Sequence, residues 1–91
     1  MRRVHVVVTG SVQGVGYRYT MRLQAREAGA AGWVRNRHDG SVEAEVEGSA
    51  DQVDALLAWM AEGPPGSRVT GARVRDLPPA GYVGFEVRPT A

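Results

Sequence analysis

Val42, Ala44 and Val46 alternate with Glu43, Glu45 and Glu47, immediately after Asp39-Gly40. No other stretch restricts the fold as tightly. Strict period-two alternation predicts a strand with one apolar and one polar face over Ser41–Gly48. Asp-Gly supplies the chemistry of a tight reversal, so this strand must answer an antiparallel partner. Gly32–His38, with Trp33 and Val34 as strong β formers, is that partner. The acidic row is expected to be a solvated face. The two strands need a third layer to cover the apolar face.

The flanking segments supply it. Val4–Thr9 is β-branched, apolar at nearly every position, and predicts a central strand that stops at Gly10. Ser11–Gly16 reads as a loop. Tyr17–Ala28 then places Tyr17, Met21, Ala25 and Ala28 on one helical stripe, and Gly29 fits its stop. Ser49 and Gln52 stand in capping-box relation at the start of a second helix. Its buried stripe is Val53, Leu56, Leu57 and Met60, and Gly63-Pro64-Pro65-Gly66 ends it. Arg68–Leu77 is a further strand, closed by Pro78-Pro79, and Tyr82–Arg88 is a short final one.

The order is β-α-β-β-α-β plus one strand. It predicts an α+β, ferredoxin-like sandwich: a mainly antiparallel sheet, two helices on one face and a short extra C-terminal strand. The 91 residues suffice for a single domain spanning 1–91. No repeat, low-complexity tract or linker interrupts it.

Composition narrows the function classes. Net charge is +1, against a general nucleic-acid binder. There is no cysteine, so disulfides and thiolate metal sites are excluded. With His5 and His38 as the only histidines, a protein-built zinc site is not expected. Neither an exposed His38 beside the turn nor His5 has a nameable partner. No run is long enough for a membrane helix, and Val4–Val8, broken by His5, is too short for a signal peptide. The expectation is a cytoplasmic monomer with no membrane or nucleic-acid partner. All 11 basic residues are arginine, and Asn36 is the only asparagine in the chain.

The chemistry is concentrated in Gly10-Ser11-Val12-Gln13-Gly14-Val15-Gly16-Tyr17-Arg18, between a strand and a helix. Gly14 and Gly16 let the backbone curl and a ligand approach it. The following helix turns its free N–H groups and positive dipole end towards the loop. Together these form a cradle for a phosphate-sized anion. Arg18 adds a permanent charge and a planar fork that can hold two phosphate oxygens. A P-loop is excluded because the chain has no lysine. A dinucleotide fingerprint is excluded because Tyr19 occupies its third glycine position.

The run G-x-V-Q-G-V-G-Y-R resembles the first signature of the acylphosphatase family. Gly32-Trp33-Val34-Arg35-Asn36-Arg37-His38-Asp39-Gly40-Ser41-Val42-Glu43 is similar to the second, and Gly84-Phe85-Glu86-Val87-Arg88 to the family's closing strand. Ser11 departs from a usual basic residue, Tyr17 from phenylalanine, and Ala30-Ala31 from larger apolar residues. The resemblance implies hydrolysis of an acyl phosphate to a carboxylate and inorganic phosphate, without metal or cofactor. It implies that the Gln13, Gly14, Val15, Gly16 and Tyr17 backbone binds phosphate, with Arg18 and Asn36 as the catalytic pair. An asparagine takes no proton near neutral pH, but it can orient water by hydrogen bonds. Trp33, Trp59 and Tyr82 are expected to be packing residues.

Two rivals remain at this level. An RNA-recognition module shares the element order, but it stacks bases on strand aromatics. Here that strand carries the acidic row, which would repel a phosphate backbone. A catalytically idle anion-binding domain would keep the scaffold without turnover.

Overall fold

The computed structural model describes residues 1–91. The elements are β1 (Arg2–Ser11), α1 (Tyr17–Ala28), β2 (Ala31–Asn36), β3 (Val42–Gly48), α2 (Ala50–Glu62), β4 (Arg68–Leu77) and β5 (Phe85–Val87). The five strands form one sheet in the order β4-β1-β3-β2-β5. Every pairing is antiparallel except β2 with β5, which is parallel. This is the expected α+β, ferredoxin-like arrangement.

Register follows from which residues must be covered. Val4, Val6 and Val8 lie opposite Val46, Ala44 and Val42. All six are buried beneath the helices. Tyr17, Met21 and Ala25 of α1, and Val53, Leu56 and Met60 of α2, complete this core. Burying each valine, leucine or methionine of this core stabilises the fold by about 1.5–3 kcal/mol. Ala30 packs into the same cluster despite its small size. A one-residue slip would send every valine to the other face, so the alternation itself locks the register.

Several boundaries differ from the sequence reading. β1 is interior, but covered on one face only: His5 and Val7 stay half-buried while their neighbours are fully enclosed. β2 ends at Asn36 rather than His38. From Arg37 the chain is already in the reversal, with the Arg37 N–H donating to the Ser41 carbonyl at 2.9 Å. Asp39 does not adopt a positive φ; only Gly40 does, at 93°. Asp39 acts through its side chain, accepting from the Ser41 N–H at 2.9 Å and the Ser41 hydroxyl at 2.6 Å.

The final strand is shorter than Tyr82–Arg88. The Tyr82 N–H is taken by the Glu47 carboxylate at 2.6 Å, so the ladder starts only at Phe85. Beyond β5 the tail keeps to the edge of β2. The Arg88 N–H donates to the Val34 carbonyl at 2.9 Å, and the Ala91 N–H to the Asn36 carbonyl at 3.1 Å. The capping box forms as expected, with Ser49 and Gln52 bonded reciprocally.

Candidate active site

The loop between β1 and α1 is built without a side-chain cap. Gly16 occupies the N-cap position with φ 77° and ψ 18°, and no side chain bonds the first turn of α1. Gly14 has φ 75°, and both glycines take a conformation that a Cβ would strain. A Cβ at either would meet no atom within 4 Å, so the space above the loop is open. None of the backbone N–H groups of residues 13–19 donates to a protein acceptor. The first turn of α1 also holds no carboxylate. The positive end of the helix dipole is therefore uncompensated and faces a row of free donors.

Gln13 sets the position of this loop. Its side-chain amide donates to the Arg37 carbonyl at 2.7 Å and the Ser41 carbonyl at 2.8 Å. Both donors of Nε2 are spent tying the loop to the β2–β3 reversal. Val15 packs partly buried against the core. On the other side, the Tyr17 hydroxyl donates to the Met60 carbonyl at 2.7 Å. This pins the start of α1 to the last turn of α2 and satisfies an otherwise orphan carbonyl. Burial pushes the Tyr17 phenol up from its ordinary pKa.

Gly14, Gly16, Tyr17, Arg18 and Asn36 line one cavity of about 260 Å³. Gln13 and Val15 are not in its lining; they hold the loop from behind. Val12, Tyr19 and Val87 complete the wall. Asn36 reaches it because it shares the core-facing parity of Val34, at the end of β2 beside the start of α1. It is 9% exposed, and its Oδ1 is buried without a hydrogen-bond partner. Buried carbonyl oxygens are nearly always paired in folded proteins, so an orphan one at a cavity wall points to function. Arg18 is half-buried and engages no carboxylate.

A sequence model of the acylphosphatase family matches residues 4–87. The chain belongs to the acylphosphatase family. That family's function is the hydrolysis of acyl phosphates. An acylphosphatase of Methylococcus capsulatus is 57% identical over 77 residues, covering 85% of this chain and 84% of the relative. One from Thermococcus kodakarensis is 48% identical over 85 residues, covering 93% of each. Among solved structures, acylphosphatase from Bacillus subtilis superposes with a TM-score of 0.93 at 35% identity. That match covers 97% of this chain and 99% of the other. The fold of the family is thus shared over nearly the whole chain, including both segments that line the cavity.

The opposite sheet face corrects the expectation of a solvated acidic row. Glu43 accepts from His5 Nε2 at 2.7 Å and from Arg35 Nε at 2.7 Å. Burial alone would raise its pKa; the His5 and Arg35 bonds outweigh that and hold it below the ordinary carboxylate value. Glu45 accepts from the Tyr82 hydroxyl at 2.7 Å and lies 3.5 Å from Arg3 Nε. Glu47 is 2% exposed and accepts the Ala80 and Tyr82 N–H groups at 2.6 Å each. The Ala80 bond leads in lowering its pKa, against the opposing effect of burial. His5 therefore has a partner after all. Glu43 and Glu45 lie against Arg35 and Arg3, which offset part of the row's charge, whereas the hydrogen-bond partners of Glu47 are neutral N–H groups. Trp33, an aromatic of this face, has the guanidinium groups of Arg35 and Arg88 at 4.9 and 4.8 Å from its centroid.

No group of three or more His, Cys, Asp or Glu residues converges as metal ligands, and no helix is long and apolar enough to cross a membrane.

Proposed function

We propose that this chain hydrolyses acyl phosphates in the cavity between the β1–α1 loop and the end of β2, without a metal ion. The observation that carries the reading is the coincidence of three unspent polar groups on one cavity. They are the free amides of Gly14 and residues 16–19, the Arg18 guanidinium and the orphan Oδ1 of Asn36.

The roles follow from what each group can donate. The Gln13–Tyr17 amides and Arg18 hold the phosphoryl oxygens and spread the charge that grows on them, the main lever in phosphoryl transfer. Asn36 Oδ1 accepts a hydrogen bond from a water and aims it at phosphorus, in line with the bond that breaks. The water oxygen bonds to phosphorus, and the P–O bond to the acyl group breaks. The carboxylate departs with the bridging oxygen and its electron pair. The water proton passes to a phosphate oxygen. A carboxylate is a good leaving group, so no strong general acid is required, and the cavity lining supplies none. We infer a cytoplasmic, monomeric single domain acting on small-molecule substrates and releasing inorganic phosphate.

Benzoyl phosphate turnover in the presence of EDTA tests this. Activity is expected to survive chelation. Asn36→Ala is expected to lower kcat by about 10²–10³, the usual effect of losing one aimed polar group. In ¹⁸O-labelled water the label should appear in phosphate. Full turnover by Asn36→Ala, or label in benzoate alone, would remove the assigned role.

A further inference from the structure

The phosphoryl group accounts for only part of the cavity wall. Arg18, Asn36 and the loop amides serve it under the reading above, while the side chains of Val12, Tyr19 and Val87 have no part in holding a phosphate. Val12 is buried and Val87 half-buried, so each offers the cavity an apolar surface. Tyr19 differs from both: it is 65% exposed, yet it lines the same cavity. A scattered exposed aromatic needs no explanation. This one stands next to Arg18 in sequence and at the rim of the site.

Its ring also has a charged neighbour. The Arg22 guanidinium carbon lies 4.9 Å from the Tyr19 centroid, one helical turn on. Arg22 Nε is buried without a hydrogen-bond partner, so this side chain lies packed along the helix and its cation rests on the ring. An aromatic beside an anion cradle suits a ligand that is charged at one end and apolar at the other.

We propose that Tyr19, with Val12 and Val87, forms an acyl-side subsite that favours flat aromatic or similarly bulky apolar acyl groups over acetyl. This rests on the acyl phosphate reading and specifies its substrate class. Only the bridging oxygen separates phosphorus from the acyl carbon. A substrate gripped at Arg18 therefore keeps its acyl group within the same cavity, whose remaining wall is Val12, Tyr19 and Val87. The methyl group of acetyl phosphate is too small to cover the ring, whereas a phenyl group can stack on it or meet its edge.

The test compares benzoyl and acetyl phosphate on the wild type, Tyr19→Phe and Tyr19→Ala. The Tyr19→Ala change should lower kcat/KM for benzoyl phosphate about tenfold more than for acetyl phosphate, chiefly through KM, as for a lost apolar contact. Tyr19→Phe should keep the wild-type ratio. As a measurement needing no variant, benzylphosphonate should inhibit the wild type about tenfold more tightly than methylphosphonate. An unchanged substrate ratio in Tyr19→Ala, or equal inhibition by the two phosphonates, overturns the subsite and leaves the acyl phosphate reading intact. A wild type inert towards both substrates overturns the two together.

Discussion

The two faces of the sheet treat polar groups in opposite ways. On the open face, every carboxylate of β3 is spent: Glu43 on His5 and Arg35, Glu45 on Tyr82 and Arg3, Glu47 on two backbone N–H groups. At the helix-side end, the loop amides, Arg18 and Asn36 Oδ1 are unspent and surround one cavity. Paired groups stabilise the native state; unpaired ones around a cavity are held ready for a ligand, and folding gains nothing from them. Loss of an unpaired cavity side chain should therefore cost activity with stability kept, and loss of a paired one should cost stability with activity kept.

The largest expected effect is at the cradle. Arg18→Ala should lower kcat/KM for benzoyl phosphate by about 10³ or more, the scale of a lost phosphoryl-binding arginine. Its melting temperature should stay near wild type, because Arg18 has no carboxylate partner to abandon. A large drop in melting temperature would break the comparison. Gly16→Ala comes next. The Cβ meets nothing, so the penalty is the strained φ, about 1–2 kcal/mol, and a distorted cradle. Activity should fall about 10–100-fold, since misplacing a substrate by ~1 Å can cost 10²-fold. Steady-state kinetics beside thermal melts would check both.

How much of this was legible beforehand differs by residue. The free loop donors were readable, because a glycine-rich connection from strand to helix offers no side chain to cap the first turn. The place of Asn36 beside it came from a family likeness; the later parity with Val34 explains it. The paired state of the acidic row was not readable. Alternation tells which face Glu47 is on, but not that residues 80–82 fold over it to offer their N–H groups. Val87 was missed as a wall residue because it arrives through a parallel pairing of distant strands, which leaves no local signature. The role of the Tyr17 hydroxyl is not legible in the sequence, because its acceptor, the Met60 carbonyl 2.7 Å away, lies 43 residues on.

The open face makes smaller predictions. Glu47 and Glu43 both have folded-state pKa values below the ordinary carboxylate value. Their contribution to stability is present above the unfolded carboxylate pKa and is lost as pH falls through the folded one. Glu47→Gln should therefore lower the melting temperature at neutral pH and flatten its decline below about pH 4.5. Its kcat should remain within twofold of wild type. A parallel melting curve for variant and wild type across acid pH would contradict this. The smallest effect lies on the helix side, at a paired group: Tyr17→Phe, about 1 kcal/mol from a lost buried hydrogen bond, read by urea unfolding. Its folded phenol pKa is raised, so the wild type alone should lose stability as pH rises past the ordinary tyrosine value.

The difference between the two faces is tested most directly by titrating inorganic phosphate into the uniformly ¹⁵N-labelled protein and following every amide. Saturable shifts are expected for the backbone N–H groups of residues 13–19 and the side-chain amide of Asn36, with β3 amides from Glu43 to Glu47 unmoved. Shifts centred on the open face, or none at all in the loop between β1 and α1, would contradict the account.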